Sequence, residues 1–199
     1  FSRKYRRFLI MEETYRPLYH EIFTKINNAK DKPKKVKILQ AYRTEALEML
    51  LKGALDPKIT WLIPEGDTPY MPNDAPDGTE HTILDREALK LHNYVQLERN
   101  PPDGPIVGNP GLNSMKREMM FIQLLEGLSA GEAQVLCLAK DRQLSKKYKG
   151  LTAKCVQEAF GWDENFVAVP TTRTGFGPNR QVDLGRTTLD VAESQRKTG

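Results

Sequence analysis

Residues 141–160 read DRQLSKKYKGLTAKCVQEAF and place several lysines directly before a helix pattern. A helix N-terminus carries unpaired backbone N–H groups and about half a positive charge, which together attract an anionic oxygen. Lysines add charge, a glycine allows close approach to the backbone, a threonine offers a hydroxyl, and Tyr148 could pack on a sugar. The residues that would hold phosphates are Lys146, Lys147, Lys149, Gly150 and Thr152. The stretch predicts phosphate-backbone binding, and the alternative is a solvated turn whose lysines maintain solubility.

Basic residues form three clusters along the chain. The first lies in residues 3–7, the second in residues 30–37 and the third in residues 140–154. Backbone binding to DNA draws on several cationic contacts at once. If the clusters fold onto one side, the protein has a positive face suited to phosphates. The second cluster would extend the footprint and the first would act as a basic arm reaching into a groove. The additional binding residues are Lys34, Lys35, Lys37, Arg3, Arg6 and Arg7.

Residue patterns of common enzymes are absent from the sequence. It contains no phosphate loop, no H-E-x-x-H, no C-x-x-C and no G-x-S-x-G. Asp74, Asp77, Glu80 and His81 could be drawn into a cation site, but a solvated acidic loop is the favoured interpretation. We therefore predict a protein that is not an enzyme and that uses no metal and no cofactor.

Length and composition indicate one water-soluble domain. The chain has 199 residues, a formal net charge of +4 and 39% hydrophobic residues. No apolar run reaches the roughly 20 residues that span a bilayer, and no secretory signal is recognisable, so we expect no membrane association. Cys137 and Cys155 lie in helix-like apolar patterns, which predicts a reduced pair.

Hydrophobic periodicity predicts an all-α fold, a single compact domain of about six to seven helices. The first predicted helix ends near Asn28, and a second runs from Pro33 through Leu51. Later helices start at the caps Asn113 or Ser114, Ser129 and Thr152, and Gly161 ends the last of them. A helical stripe covers residues 84–95, residues 59–63 form one helical turn, and residues 64–82 form a long Pro/Gly-rich loop laid over the core by Tyr70 and Met71. The predicted apolar face after Asn113 consists of Met115, Met119, Ile122, Leu125 and Leu128. We expect a basic arm over residues 1–13, the helical domain over 14–166, an extended or disordered tail over 167–199, and no strand.

Residues 124–160 resemble the helical N-terminal DNA-binding domain of ATP-dependent DNA ligases, as do residues 35–66. The matching positions are Asp141, Leu144, Gly150, Thr152, Val156, Ala159 and Phe160. The lysine motif of ligase catalysis, Lys-x-Asp-Gly, is absent. The resemblance therefore implies an isolated module that lies along the minor-groove side of duplex DNA. Residues 11–166 also resemble an uncharacterised protein family of contractile-tailed (myovirus) phages and cyanophages, which implies no mechanism.

The sequence thus predicts a non-enzymatic phage accessory protein that binds duplex or nicked DNA, with little sequence preference, in the cytoplasm of an infected bacterium. Phage replication or virion proteins are further expected partners. An alternative is a virion structural or assembly component whose ends order against neighbouring subunits. A third hypothesis is an inhibitor of a host enzyme that uses the acidic loop from Glu65 to Glu80 as a DNA mimic.

Overall fold

The computed structural model describes residues 16–75, 80–98 and 106–169. This part of the chain is mostly helical, as predicted, with eight α-helices and one 3₁₀ helix. In chain order these are α1 Tyr19–Asn28, α2 Lys32–Ala41, α3 Glu45–Leu55, α4 Leu84–Glu87, the 3₁₀ helix Ala88–Asn93, α5 Ser114–Gly127, α6 Ala130–Lys140, α7 Leu144–Lys147 and α8 Ala153–Phe160. The predicted arm (residues 1–13), and with it Arg3, Arg6 and Arg7, lies outside the described residues.

Side-chain caps fix where four of the helices begin. The side chains of Asn113, Ser129 and Thr152 accept the N–H groups of Lys116, Glu132 and Cys155, which confirms the three predicted caps. A fourth cap was missed, because Thr44 Oγ1 accepts the Leu47 N–H at 3.1 Å. This cap divides the helix predicted from Pro33 through Leu51 into α2 and α3.

The core surrounds α3, whose Leu47, Leu50 and Leu51 are completely buried. This helix packs against α6 and against the 3₁₀ helix, and α1 and α2 pack beside them. Phe23 and Phe121 contribute the largest buried rings. The apolar surface so removed from water is the main force that holds the short helices together.

A small antiparallel sheet corrects the prediction that the chain contains no strand. Strands β1 (Ile59–Trp61), β2 (Val95–Leu97) and β3 (Ile106–Val107) pair in the order β1-β2-β3, with Trp61 opposite Val95. The helical turn predicted for residues 59–63 is therefore wrong. The helical stripe predicted for residues 84–95 is confirmed as far as Asn93, but its last member, Val95, lies in β2. Strands of two or three residues are too short to display the alternation that identifies a strand.

The described part of the long loop, residues 64–75, contains no helix or strand. Lys140 holds its start: the side chain is completely buried, and Nζ donates to the carbonyls of Pro64 at 2.8 Å and Gly66 at 3.0 Å and to Asp141 Oδ1 at 2.5 Å. Tyr70 packs partly buried against the core, as predicted. Met71 does not, because it is 79% exposed.

The chain after α8 turns back on the core. Gly161 ends α8 at φ 66°, the left-handed conformation that glycine adopts without steric cost. Trp162 then packs between Phe160 and Phe166 and forms an antiparallel bridge with Ala168. Residues 16–75, 80–98 and 106–169 fall in one compact unit that ends at Val169. Among these residues no helix is long and apolar enough to cross a membrane.

Candidate nucleic-acid interface

Helices α2 and α8 lie side by side, although more than a hundred residues separate them in the sequence. Gln40 Nε2 donates to the Ala159 carbonyl at 3.2 Å, and Lys32 Nζ forms an ion pair with Glu158. The inner surfaces of the two helices are apolar, with Val36, Leu39 and Val156 buried. This packing brings the second basic cluster next to the helix that follows the third.

The turn between α7 and α8 packs against the end of α1. Tyr148 is 6% exposed and meets the Phe23 ring edge-on, with 5.5 Å between the ring centroids. A Cβ added to Gly150 would lie 2.9 Å from the Ile26 carbonyl oxygen, so glycine permits the close approach of this turn to α1. Because α1 leads directly into α2, the same contact holds the turn near the α2 lysines.

These contacts define a basic face made of α2 and of the segment from α7 to the first turn of α8. The exposed lysines on it are Lys32, Lys34, Lys37, Lys146, Lys147, Lys149 and Lys154, and Lys35 is half-buried. Lys34 forms an exposed ion pair with Asp31 at 3.1 Å. Within the part of the chain that the structure describes, Lys35, Lys37, Lys149 and Lys154 form no ion pair.

Two lysines of α2 lie close to the Cys155 thiol of α8. Burial raises the pKa of Cys155, and the positive charges of Lys32 and Lys35 oppose that rise. Lys32 and Lys154, which belong to this face, were left out of the predicted set of contact residues, although both stand within three residues of members of that set.

Two predicted contributions to phosphate binding need correction. The space that Gly150 leaves by lacking a side chain faces the Ile26 carbonyl, and Tyr148 is buried against Phe23 instead of free to pack on a sugar. Thr152 is exposed, and although its hydroxyl oxygen accepts the Cys155 N–H at 3.3 Å, its O–H group can still donate to a phosphate. Lysine charge, more than glycine or threonine, is what this face offers.

The first two cations of the third cluster, Lys140 and Arg142, hold other parts of the fold in place. Lys140 is buried in its contacts with the loop, as described above. Arg142, at φ 55°, donates from Nη1 to the Asp56 carbonyl at 3.1 Å and from Nη2 to the Ile59 carbonyl. Arg142 is exposed, but both cations donate to backbone carbonyls, so the lysines of this cluster that are not held in this way start at Lys146.

A second group of polar side chains lies in a cleft of about 150 Å³ beside α1. Asp85 Oδ1 accepts from the Tyr19 hydroxyl at 2.7 Å and from Thr44 Oγ1 at 2.9 Å, and Arg16 pairs with Asp85 Oδ2 at 3.1 Å. Glu132, almost fully buried, accepts the N–H groups of Tyr19 at 3.3 Å and Leu84 at 2.8 Å. These bonds tie α1, α3, α4 and α6 together. The described residues hold no cluster suited to a metal ion.

The chain belongs to the family of unknown function DUF6433, whose match covers residues 22–146. The matched region starts in α1 and ends in α7, so it includes Lys34, Lys35, Lys37 and Lys146 and stops before Lys147. No curated protein and no solved structure matches the chain.

Proposed function

We propose that this protein is a non-enzymatic, phage-encoded accessory protein that binds the phosphate backbone of duplex or nicked DNA through its basic face. The observation that carries the proposal is the convergence of two lysine clusters, from α2 and from the α7–α8 segment, on adjacent elements. A duplex presents closely spaced phosphates on both strands, and neutralising several of them at once is the main source of affinity that does not depend on sequence.

The chemistry of the face suits phosphates better than base edges. Lysine is a compact, strongly hydrated charge on a flexible stem, whereas arginine is the usual partner for bidentate contacts to guanine. The face carries the exposed residues Lys34, Lys37, Lys146, Lys147, Lys149 and Lys154. Two of their ammonium groups have partners within the protein: Lys34 Nζ pairs with Asp31, and Lys147 Nζ donates to Gln134 Oε1. We therefore expect little sequence preference. The resemblance to the DNA-binding domain of ATP-dependent ligases points in the same direction, towards contacts along the minor-groove side and towards nicks.

The experiment is to measure binding of fluorescent intact and nicked duplexes over a salt series. Each phosphate contact contributes about 0.9 to the slope of log K against log[salt]. If Lys146, Lys147 and Lys149 each contact a phosphate, replacing all three by alanine should flatten the slope by about two to three. All three are exposed and none belongs to the core, so the variant should fold.

A matched control separates a local contact from a general loss of charge. Lys58, Arg86 and Lys90 are exposed and lie outside the basic face, so replacing them by alanine changes the net charge by the same amount. The control should keep the wild-type slope. Equal losses in both variants would mean that only the net charge attracts DNA, which would contradict a defined interface.

The alternative hypothesis is a structural or assembly component of the virion, and the same measurement discriminates it. Binding that is absent, or that does not depend on salt, would refute the DNA proposal. The protein should then be sought in purified particles instead of in the cytoplasm of infected cells.

A further inference from the structure

Helix α5 presents an apolar stripe to solvent where the sequence predicted core. Met115 is 74% exposed and Met119 is 56% exposed, and Gln123 and Glu126 continue the same face. The buried side of the helix is formed by other residues, above all Phe121, Leu124 and Leu125. Residues 115, 119, 123 and 126 recur at intervals of three and four, so they lie on one side of α5.

The charges on this helix oppose its own dipole. Lys116 stands in the first turn and Glu126 in the last, and α5 has no acidic residue in its first turn and no basic residue in its last. A cation near a helix N-terminus and an anion near its C-terminus are both unfavourable, because each faces a partial charge of its own sign. An antiparallel second helix would reverse this effect, because it would place an acidic end beside each basic end.

We propose that α5 is the contact surface of a homodimer in which the α5 helices of two copies of this chain pack antiparallel about a two-fold axis. A two-fold interface uses the same patch on both subunits, which must therefore be self-complementary. The α5 face has this property because it combines exposed methionines with opposite charges at its two ends. In the register that places Lys116 opposite Glu126 of the partner copy, Met119 lies near the axis and faces Gln123 of the partner copy.

The surface around Met119 is shaped to receive a side chain. Met115, Lys116, Met119, Met120 and Gln123 line a groove of about 310 Å³. Methionine is flexible and polarisable, and methionine surfaces readily adapt to a facing helix. At the far end of the stripe the Met71 N–H donates to Glu126 Oε1 at 3.2 Å, which places the exposed Met71 where the partner copy's α5 would begin.

The size of the face sets the expected affinity. A helix of 14 residues is about 21 Å long, so the α5 face is smaller than the roughly 800 Å² per partner of a standard interface. We therefore expect a dimer that dissociates in the micromolar range. Sedimentation velocity of the full chain, from about 1 µM to about 1 mM, should show the average mass rising towards twice that of the monomer. A chain that remains monomeric throughout would overturn the proposal.

Charge reversals test the register without unfolding the protein. Lys116→Glu and Glu126→Lys each improve the match to the helix dipole. Lys116→Glu should therefore leave the isolated chain as stable as before or more stable, whereas Glu126→Lys also removes the acceptor of the Met71 N–H, so its stability is measured beside its association. In the dimer each creates two like-charge contacts, and each should weaken association by about tenfold. The double variant K116E/E126K restores both pairs and should recover the wild-type dissociation constant.

Two further variants complete the design. Met119→Glu would place two carboxylates near the axis and should abolish dimerisation, although position 119 is exposed and the fold should survive. Arg86→Glu makes the same charge change as Lys116→Glu on an exposed residue of α4, and it should have no effect. A double variant K116E/E126K that associates as weakly as the single variants would refute the antiparallel arrangement.

Discussion

Replacing Gly150 by alanine tests how the turn of the basic face is held. The added Cβ would lie 2.9 Å from the oxygen, 3.3 Å from the carbon and 3.1 Å from Cγ2 of Ile26. Carbon atoms do not approach a backbone oxygen so closely, and Ile26 cannot move away because it is completely buried in α1. The turn must therefore shift outwards. Overpacking of this kind costs about 1–3 kcal/mol.

The stabilising effect of the same substitution through the unfolded chain is smaller than this cost. Gly150 does not have a positive φ, so alanine adds no backbone strain and would by itself stabilise the folded state by about 0.4–1 kcal/mol through the unfolded chain. We expect a net loss of about 1–2 kcal/mol in the free energy of unfolding, measured by urea denaturation followed by circular dichroism. Gly111→Ala is the control, because its Cβ would meet nothing closer than the Asn109 side chain at 3.5 Å. If Gly150→Ala is as stable as Gly111→Ala, the close packing of this turn on α1 is refuted.

Three further predictions concern buried polar groups. Lys140→Met should lower the free energy of unfolding by about 3–5 kcal/mol in the same assay, because it leaves Asp141 and two loop carbonyls without their cation. A loss below about 1 kcal/mol would contradict the role of Lys140 in anchoring the loop. Burial raises the pKa of Glu132 above its ordinary 4.5, so the folded state binds this proton more tightly than the unfolded state does, and stability should fall as the pH rises from about 4.5 through the folded-state pKa. Glu132→Gln lacks this titration, so the difference in the free energy of unfolding between wild type and variant should change over that pH range. A constant difference would exclude a raised pKa of Glu132 in the folded state. Burial raises the pKa of Cys137 to about 11, so at about pH 8 this thiol should react with Ellman's reagent about a hundredfold more slowly in the folded protein than in urea. Burial also raises the pKa of Cys155, so its reaction should be slower in the folded protein as well.

Local signals in the sequence were sufficient to predict several features of the fold. The caps at Asn113, Ser129 and Thr152 depend on residues within three positions of each helix start, and all three occur as predicted. The end of the first helix at Asn28 and the left-handed Gly161 likewise depend on local conformation. Such features are readable because the interacting groups are neighbours in the chain.

Features that depend on tertiary packing were not predictable in this way. Lys140 has the same side chain as the exposed lysines that follow it, and only the position of the loop carbonyls explains its burial. Met115 and Met119 continue an apolar pattern that ends at the true core residues Leu125 and Leu128, so periodicity alone placed them inside. The sequence alone could not predict that the lysine clusters converge, because α2 and α8 are distant in the chain and meet through buried contacts.

The central claim is that α2 and the α7–α8 segment act as one DNA-binding surface. The direct measurement compares the salt slopes of four proteins: wild type, a variant with Lys34, Lys35 and Lys37 replaced by alanine, a variant with Lys146, Lys147 and Lys149 replaced, and the combination. Each triple replacement should flatten the slope by about two to three, and the combined variant should lose both contributions. A wild-type slope near zero, or a slope that only one cluster affects, would contradict a shared surface.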